Sequence, residues 1–320
     1  MDVSIVIVNW NTKELLNKCI QSIKDNTSGI YYEIIVIDNN SSDGSAAMVK
    51  REFPGCTLLE SKVNLGFVKG NNRALEQASG KYVLFLNPDT QILTNTLNSS
   101  FRFLEAQNEF GALGCKLIYP NNSIQYVCAR TFPTPFNQFC ELSMLNRLFP
   151  GSRFFSSIEM NYWHHMESRE IDCLSGAYMM VRKNLINDLK GFDENIFMYA
   201  DDVDLCYRIK QAGWKIYYLA DEKVIHHEGA SSNQKKNKYF SLIMQKNSNY
   251  YFINKHFGKF KAQQFRLAVC LGSIIRISTI FPVLIVSKIF RVKSGVSFDT
   301  ANKYFNLLLW SLGLRNISIV

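Results

Sequence analysis

Three carboxylates fall within four positions of the chain, at Asp201, Asp202 and Asp204. Their neighbours are apolar, and carboxylates crowded at the edge of a core repel one another and lose hydration unless something compensates. A metal, a bound hydroxyl or a helix N-terminus can do so. Apolar spacing predicts a helix over 202–212, so helix capping explains one or two of the acids. Three acids exceed what one cap requires, and the cluster therefore indicates chemistry.

Two further candidates each follow a predicted strand. Asp89 stands in the turn Asn87-Pro88-Asp89, and His226 ends a late apolar run, with His227 as an adjacent alternative. One carboxylate can hold Mg²⁺ or Mn²⁺, because such a cation completes its shell with water and phosphate oxygens. Asn-Pro-Asp is also an ordinary turn. The prediction of a metal site therefore rests on its combination with His226 and with Asp38, which follows another strand.

A loop rich in glycine and amides opens a predicted helix near residue 66. Backbone N–H groups and amides at a helix start suit phosphates or sugar hydroxyls, which makes Asn64, Gly66 and Asn71 candidate binding residues. Ordinary turn chemistry, with Asn71 as a surface amide, explains the same residues. The sequence has no Walker loop and no G-x-G-x-x-G, so ATP hydrolysis and dinucleotide redox chemistry are not supported.

Short apolar runs alternate with helical spacing in the first part of the chain. They predict strands at 3–8, 33–37, 57–60 and 82–86. Such alternation is typical of βαβ units, in which ligands bind beyond the carboxyl ends of the strands. Later strands are expected at 111–118, 124–130, 175–181 and 214–219. The aromatic-rich segment 131–169, with three prolines, is expected to be an irregular lid.

Charge is distributed unevenly along the 320 residues, whose net charge is +9. Residues 1–228 contain 22 Lys and Arg against 26 Asp and Glu, a balance of −4, whereas residues 229–320 contain 14 against one, a balance of +13. A basic tail on an acidic body suggests contact with a polyanion, and an anionic membrane is favoured because no nucleic-acid recognition module is present. A merely solvated basic face is the alternative.

The tail is predicted to be helical from residue 234. Its apolar part, 267–290, contains an uninterrupted stretch of 277–287, which is shorter than the ~20 residues that a spanning helix needs. We therefore expect it to lie in the membrane interface, although a helical hairpin packed on the domain is the alternative. The basic residues expected near lipid are Lys235, Lys236, Lys238, Lys246, Lys255, Lys259, Lys261, Arg266, Lys288, Arg291 and Lys293.

The eight cysteines show no close pairing and lie mostly in apolar runs, which is typical of core thiols in a reducing compartment. No basic n-region precedes the first strand, so no secretory signal peptide is expected.

Six motifs occur in order along the chain. They are Ser4-Ile5-Val6-Ile7-Val8-Asn9-Trp10-Asn11, Asp38-Asn39-Asn40-Ser41-Ser42-Asp43-Gly44, Asn64-Leu65-Gly66-Phe67, Asn87-Pro88-Asp89, Asp201-Asp202-Val203-Asp204-Leu205 and Ile225-His226-His227-Glu228-Gly229-Ala230-Ser231. Together they resemble the family 2 inverting glycosyltransferases of GT-A fold, specifically the rhamnosyltransferase-like branch of bacterial surface-polysaccharide synthesis. The resemblance covers about residues 2–260.

The resemblance implies a nucleotide-sugar site. Asp38 would contact the nucleobase, and Asn9 and Asn11 would line the nucleotide pocket. Asp89 matches the last acid of the family's D-x-D-type metal motif, and Asn87 stands at the first acid, as is usual in this branch.

The resemblance also implies a base and a second metal ligand. Asp202 matches the catalytic base, and Asp201 stands where the branch usually has Glu. His226 matches a ligand of Mn²⁺ or Mg²⁺, with His227 as the alternative. Glu228 replaces a small or neutral residue, so the charge near the metal departs from the family pattern.

The sequence thus predicts an α/β protein with a GT-A-like, Rossmann-type mixed sheet flanked by helices over 1–230, followed by a basic amphipathic helical tail over 231–320. The expected activity moves a sugar from a nucleotide-sugar, for which the branch favours deoxythymidine-diphosphate-rhamnose, to a lipid-linked glycan. The expected location is the cytoplasm, at the inner face of a bacterial membrane.

Two alternatives stay open at this point. The first is a metal-dependent nucleotidyltransferase, which needs a basic, glycine-rich loop after the first strand, and Asn9-Trp10-Asn11-Thr12 does not provide one. The second is a non-catalytic, membrane-bound module that binds glycans or nucleotide-sugars.

Overall fold

The computed structural model describes residues 1–227, 239–290 and 297–314. The chain divides into two units, one formed by Met1–Phe132 and His164–Gln234 and the other by Pro133–Trp163 and Lys235–Val320. The predicted division at residue 230 differs from this grouping, because Pro133–Trp163 groups with the C-terminal helices. Nine residues named above lie outside the described residues: Glu228, Gly229, Ala230, Ser231, Lys235, Lys236, Lys238, Arg291 and Lys293.

The described part of the first unit contains eleven strands. They are β1 (Val3–Asn9), β2 (Tyr32–Asp38), β3 (Thr57–Glu60), β4 (Tyr82–Leu86), β5 (Thr90–Ile92), β6 (Phe110–Ile118), β7 (Ala129–Arg130), β8 (Arg169–Ile171), β9 (Cys173–Leu174), β10 (Tyr178–Arg182) and β11 (Lys215–His226). Nine of them form one mixed sheet in the order β3-β2-β1-β4-β10-β6-β11-β5, with β8 paired to β11. Strands β7 and β9 form a separate two-stranded pair.

Helices of the first unit connect these strands. They are α1 (Lys13–Asn26), α2 (Ser45–Glu52), α3 (Gly66–Leu75), α4 (Thr96–Ala106), α7 (Lys183–Asp188) and α8 (Asp201–Gln211). Each of the first three follows a strand, as the alternating pattern predicts, and their buried faces carry the apolar residues at helical spacing.

The predicted parallel strands place the polar motifs at one edge of the sheet. Strand β1 pairs in parallel with β2 on one side and with β4 on the other. All seven residues of β1 are buried, which explains its nearly continuous apolar run. The carboxyl ends of these three strands therefore lie side by side, with Asn9 and Asp38 as the last residues of β1 and β2 and Asn87 directly after β4.

The sheet also contains antiparallel pairs. Strand β10 runs antiparallel between β4 and β6. The predicted strand at 175–181 begins later than expected, at Tyr178, and the one at 214–219 extends to His226. Residues 175–177 are thus left as a loop beside the end of β4, where Asn87 N donates a 3.1 Å hydrogen bond to Ala177 O.

The strand predicted over 124–130 is largely wrong. Only Ala129–Arg130 forms a strand, Ile124 makes an isolated antiparallel bridge to Ile118, and Tyr126–Cys128 forms a 3₁₀ turn. The turn is closed by Cys128 N, which donates a 3.0 Å hydrogen bond to Gln125 O. The apolar run indicates that the segment is buried. A buried segment can be a strand or a turn, so the run does not determine the backbone conformation.

The segment expected to be an irregular lid contains two helices of the second unit, α5 (Pro135–Leu142) and α6 (Leu145–Leu148). Helix α5 begins with a capping box between Thr134 and Asn137 and has proline at its first position. The threonine–proline pair was therefore a helix-start signal. The expectation of a wholly irregular segment is wrong here, because Cys140 and Leu142 give α5 a buried face.

Two further helices complete the described part of the second unit, α9 (Phe240–Phe290) and α10 (Phe298–Ser311). Helix α9 is interrupted at Gly258, whose φ of 83° is not helical. Its stretch Ser241–Phe290 is the one helix in the described residues that is long and apolar enough to cross a membrane; its most apolar 18-residue window has a mean hydropathy of 2.2 and is 28% buried. Core helices of soluble proteins can meet the same criteria, and interfacial location stays a prediction.

Candidate active site

The end of β1 holds the loop that follows β2. Asn9 Nδ2 donates a 3.1 Å hydrogen bond to Asp38 Oδ1, and Ser41 N donates one of 3.0 Å to Asp38 Oδ2. The Asn9 amide oxygen accepts a 2.7 Å hydrogen bond from Thr12. Asp38 is buried, each of its oxygens accepts one hydrogen bond from the described residues, and a carboxylate has about four lone-pair sites. It therefore retains capacity to accept N–H groups from a ligand.

Asn11 also forms hydrogen bonds to the loop that follows β2. Its φ is 52°, a left-handed conformation that asparagine tolerates better than most residues. Its backbone N–H donates a 3.0 Å hydrogen bond to Ser41 Oγ, and its side-chain oxygen accepts one of 2.7 Å from Ser42 N. Asn9 and Asn11 thus position Asp38 and its loop.

The loop before α3 contacts the loop after β2 through two asparagine side chains. Asn64 Oδ1 accepts hydrogen bonds from Gly66 N at 2.9 Å and from Asn39 Nδ2 at 3.0 Å. Gly66 opens α3 with a φ of 78°, and a Cβ there would lie 3.0 Å from the Phe197 ring. The positive φ favours glycine, and the Phe197 ring would have to shift to admit a Cβ, so any other residue at this helix start would be strained.

Asn71 does not lie at the surface. Its side chain is 1% exposed, and Nδ2 donates a 3.0 Å hydrogen bond to Phe67 O within the same helix. The alternative of a surface amide is therefore wrong. The structure gives Asn71 a role inside α3, and its predicted contact with a ligand stays a prediction.

The end of β4 faces the end of β11. His226 Nε2 lies 3.3 Å from Asp89 Oδ1 and 3.2 Å from Asn87 Nδ2. His227 points elsewhere, because its Nε2 lies 3.2 Å from Gln91 Nε2, although its backbone N–H donates to Asp89 O. The geometry therefore distinguishes the two histidines and brings His226 to Asp89.

The tautomer of His226 follows from its buried neighbour Gln125. Gln125 Nε2 donates a 2.7 Å hydrogen bond to the backbone oxygen of His226. This bond orients the Gln125 side chain so that its own oxygen, Oε1, lies 2.8 Å from His226 Nδ1. An amide oxygen only accepts, so Nδ1 carries a hydrogen, and in the neutral imidazole the Nε2 lone pair then faces Asp89. A histidine that ligates a metal typically donates its other ring N–H to such an acceptor.

These residues fit a divalent cation. A lone pair on His226 Nε2 and the Asp89 carboxylate face each other at 3.3 Å, and two acceptors at that distance favour a positive charge beside them. The described residues contain no group of three or more His, Cys, Asp and Glu side chains that could hold a metal. Two protein ligands suit a cation that takes its other ligands from water and phosphate.

The first turn of α8 lies beside the same strand ends. Asp202 Oδ2 accepts hydrogen bonds from Arg130 Nη2 at 2.7 Å and from Gly176 N at 3.2 Å. Gly176 precedes Ala177, whose carbonyl accepts a hydrogen bond from Asn87 N, so Asp202 is linked through this loop to the turn that carries Asn87 and Asp89. Two residues before α8, Tyr199 and Ala200, have φ of 61° and 56°. Such strain in residues other than glycine is typical of functional sites.

The other two acids of the cluster differ from Asp202. Burial, and then the charge of Asp202, raise the pKa of Asp201 from its ordinary value to about 7. Asp204 is fully buried and receives a 2.7 Å ion pair from Arg208, whose guanidinium also donates to the carbonyls of Leu189 and Gly191. Asp204 therefore anchors the loop before α8, and Asp202 is the most exposed of the three.

Sequence analysis missed two residues of this site, Arg130 and Gln125. Arg130 follows the apolar residues Val127-Cys128-Ala129, and a cation at the end of a buried run requires a partner, which was an available signal. Gln125 carried no comparable signal, because its role depends on a hydrogen bond to a residue 101 positions away.

Residues 4–188 match the sequence model of Glycosyl transferase family 2. The chain belongs to this family. This glycosyltransferase is 27% identical over 241 residues to the N-acetylglucosaminyl-diphospho-decaprenol L-rhamnosyltransferase of Mycobacterium tuberculosis, covering 72% of this chain and 77% of that one. It is 26% identical over 234 residues to the rhamnosyltransferase WbbL of Escherichia coli K12, covering 70% and 83%.

A solved structure shares the fold. The mannosyltransferase PcManGT of Pyrobaculum calidifontis, determined in complex with GDP-Man and Mn²⁺, superposes with a TM-score of 0.61 at 16% identity, covering 98% of this glycosyltransferase and 86% of that chain. The predicted GT-A-like mixed sheet flanked by helices is confirmed. Membership of the family favours glycosyl transfer over the two alternatives, nucleotidyl transfer and non-catalytic binding.

Proposed function

We propose that this glycosyltransferase uses a divalent cation, Mn²⁺ or Mg²⁺, to move a rhamnosyl group from a nucleotide-sugar to a lipid-linked glycan, with inversion at the anomeric carbon. The observation that carries the proposal is the 3.3 Å contact of His226 Nε2 with Asp89 Oδ1, at the strand ends where Gly176 donates to Asp202. The rhamnosyltransferase relatives support the sugar and the lipid-linked acceptor. Deoxythymidine-diphosphate-rhamnose is the donor we propose.

The nucleotide would lie over the carboxyl ends of β1 and β2. Asp38 would accept N–H groups of the base, and the loop that Asn9 and Asn11 hold would form the wall of the pocket. The turn at Asn64 and Gly66 would offer backbone N–H groups to the donor. Asn87 donates to His226 and would keep the imidazole directed at the cation.

Asp202 would act as the general base. As the acceptor hydroxyl oxygen forms its bond to the anomeric carbon, Asp202 takes the hydroxyl proton, and the bond from that carbon to the nucleoside diphosphate breaks on the opposite face. Arg130 and Gly176 hold one carboxylate oxygen, so they orient the other toward the acceptor. The cation, bound by Asp89 and His226, would offset the charge gained by the leaving diphosphate.

We further propose that the enzyme works at the inner face of a bacterial plasma membrane, to which the second unit attaches peripherally. Helix α9 exposes basic side chains in its first half and apolar ones in its second, a combination that suits an anionic membrane surface. The predicted contact of Lys246 with lipid is wrong, because this residue is 1% exposed. Its ammonium donates a 2.8 Å hydrogen bond to Gln138.

A thermal-shift screen followed by a transfer assay tests the proposal. Purified full-length protein is screened against nucleotide-sugars with and without Mn²⁺, and we expect deoxythymidine-diphosphate-rhamnose with Mn²⁺ to raise the melting temperature most, since ligands of the native state stabilise it. Transfer to N-acetylglucosaminyl-diphospho-polyprenol is then followed by mass spectrometry. Asp25→Asn, an exposed acid on α1, is the matched control for changes at Asp89 and Asp202. Full transfer by Asp89→Ala in EDTA would contradict the proposal.

A further inference from the structure

A cavity of about 200 Å³ lies within the second unit. Pockets that bury a drug-sized ligand usually enclose about 300–1,000 Å³, so this one suits a small group rather than a whole nucleotide-sugar. Its lining carries four basic and two acidic side chains: Arg147, Lys246, Arg276 and Lys303 against Glu141 and Glu159. The excess of positive charge favours an anionic ligand.

One of these cations is already paired within the unit. Lys246 Nζ donates to Gln138 Oε1 at 2.8 Å and lies 3.7 Å from Glu141 Oε2. Gln138 in turn donates a 2.6 Å hydrogen bond to the same Glu141 oxygen. Lys246 therefore stabilises the wall formed by α5, and it is not the group that would bind a ligand.

Arg276 is placed differently. Its guanidinium carbon lies 4.9 Å from the centre of the Tyr304 ring, and one terminal nitrogen contacts the Met144 sulfur. Among the described residues it meets no carboxylate, and its Nε is buried without a hydrogen-bond partner. A buried N–H without a partner costs free energy unless a ligand or water accepts from it.

Two amides of the lining are also unsatisfied, in their case at the acceptor oxygen. The side-chain oxygens of Asn146 and Asn161 are buried and have no hydrogen-bond partner among the described residues. Since an amide also carries two donors, either side chain can turn its NH₂ group toward an anion. The cavity thus combines an arginine that has an unused donor with two adaptable amides.

The helix that carries Arg276 also exposes an apolar surface. The large side chains on either side of it in the sequence are between 38% and 47% exposed: Leu271, Ile274, Ile275, Phe281 and Val283. Helical spacing places Val283 on the same face as Arg276 and the other four on different faces, so α9 combines a cavity-lining arginine with a separate exposed apolar surface, which suits a ligand that has an anionic head and an apolar tail.

We propose that this cavity binds the phosphate or diphosphate group of a membrane amphiphile, with Arg276 as the principal donor and the exposed apolar residues of α9 in contact with the hydrocarbon chain. Arginine recognises phosphate oxygens through two parallel N–H donors, which a lysine cannot supply. The chemistry is shared by two sources, the polyprenyl diphosphate of the acceptor and the phosphate of an anionic phospholipid. The inference rests on the proposed function only in placing the substrate in a membrane.

The test measures vesicle binding by the full-length protein with three vesicle types: phosphatidylcholine alone, phosphatidylcholine with phosphatidic acid, and phosphatidylcholine with polyprenyl diphosphate at equal surface charge. Arg276→Gln is compared with Lys261→Gln, which removes one exposed positive charge from the same helix. Measurements are made in 1 M salt, where the screening length is about 3 Å and general attraction is small. We expect Arg276→Gln to weaken binding to phosphate-bearing vesicles about tenfold or more, since hydrogen bonds to charged groups are strong, and Lys261→Gln to have little effect.

Tighter binding to polyprenyl diphosphate than to phosphatidic acid would identify the acceptor as the ligand, and equal binding would identify a phospholipid headgroup; both support the site. Equal losses in Arg276→Gln and Lys261→Gln would overturn it. If Arg276→Gln does not fold, Asn161→Asp places a negative charge in the cavity and should cause the same selective loss. Binding of the nucleotide-sugar, followed by thermal shift on the same samples, separates failure of this site from failure of the proposed activity.

Discussion

Arg130 Nη2 lies 2.7 Å from Asp202 Oδ2, and both side chains are mostly shielded from solvent. The same oxygen accepts from Gly176 N, whereas Asp202 Oδ1 accepts only from the adjacent Val203 N–H among the hydrogen bonds described. The two oxygens therefore have different roles: Oδ2 is held by Arg130 and Gly176, and Oδ1 keeps a lone pair for a substrate hydroxyl. A carboxylate fixed in this way loses little freedom when it acts as a base.

The first prediction concerns Asp202→Asn. This change keeps the shape of the side chain but removes its ability to take a proton, so we expect the transfer rate to fall by about 10²–10⁴-fold. Donor binding, measured by thermal shift, should be nearly unchanged because the change acts on the acceptor side. Asp201→Asn is the matched comparison. A severe effect of Asp201→Asn with a mild effect of Asp202→Asn would show that Asp201, and not Asp202, is the base.

The second prediction concerns Arg130. Arg130→Gln removes the ion pair that holds Asp202 and leaves the base itself in place. We expect kcat to fall by at least about tenfold, because one charge-assisted hydrogen bond is worth about 1.5–3 kcal/mol, while KM for the donor stays near its original value. Arg130→Lys should recover part of the loss. A KM effect on the donor with unchanged kcat would show that Arg130 binds substrate instead.

The third prediction concerns the metal. Asp89→Ala and His226→Ala should each abolish the rise in melting temperature that Mn²⁺ gives in the presence of the donor. Gln125→Ala, which removes the acceptor behind His226 Nδ1, should weaken the affinity for Mn²⁺ by about 10–100-fold, as partners of metal ligands usually do. His227→Ala is the control, because this side chain contacts Gln91 instead. If His227→Ala were the more damaging histidine change, the ligand assignment would be reversed.

The sequence predicts the parts of this site that local patterns determine, and it does not predict the parts that depend on contacts between distant residues. The strands β1, β2 and β4 were predictable because a buried parallel strand has a continuous apolar run, and their order placed Asn9, Asp38 and Asn87 at one edge. Strand β5 and the 3₁₀ turn at Tyr126–Cys128 were not predicted, since three-residue elements have no measurable periodicity. Arg130 and Gln125 reach their partners only through tertiary packing, which local patterns do not encode.

The fourth prediction concerns stability and pH. Burial and the neighbouring Asp202 raise the pKa of Asp201 in the folded protein to about 7, from the ordinary value of 3.8. The folded state therefore binds this proton more tightly than the unfolded state does. The stability that Asp201 contributes is fully present below about pH 3.8 and is lost as the pH rises through about 7.

Asp201→Asn removes this titration and keeps the neutral shape. We expect the free energy of unfolding of the variant to exceed that of the wild type increasingly as the pH rises from about 4 to 8. Denaturant titrations at several pH values measure this difference, with Asp25→Asn as the exposed control. Parallel pH profiles for the wild type and Asp201→Asn would show that the carboxyl group is ionised without penalty.

The fifth prediction concerns the membrane. Lys259 and Lys261 are exposed near the middle of α9, whereas Lys246 is buried and is unsuitable as a probe. Each basic residue near an anionic surface contributes about 1 kcal/mol at low salt, so the double change Lys259→Glu and Lys261→Glu should cost about 2 kcal/mol or more of binding to anionic vesicles. Exposed apolar side chains of α9 should retain a part of the binding that salt does not weaken.

Vesicle sedimentation at low and high salt measures both parts of this interaction. The matched control reverses two exposed lysines of the first unit, Lys18 and Lys62, which changes the net charge equally without touching α9. If electrostatic attraction acts through α9, only the α9 variant loses binding at low salt, and the difference disappears as salt screens the charges. Equal binding of all three proteins to neutral and anionic vesicles, at every salt concentration, would show that α9 does not use its charges to reach a membrane.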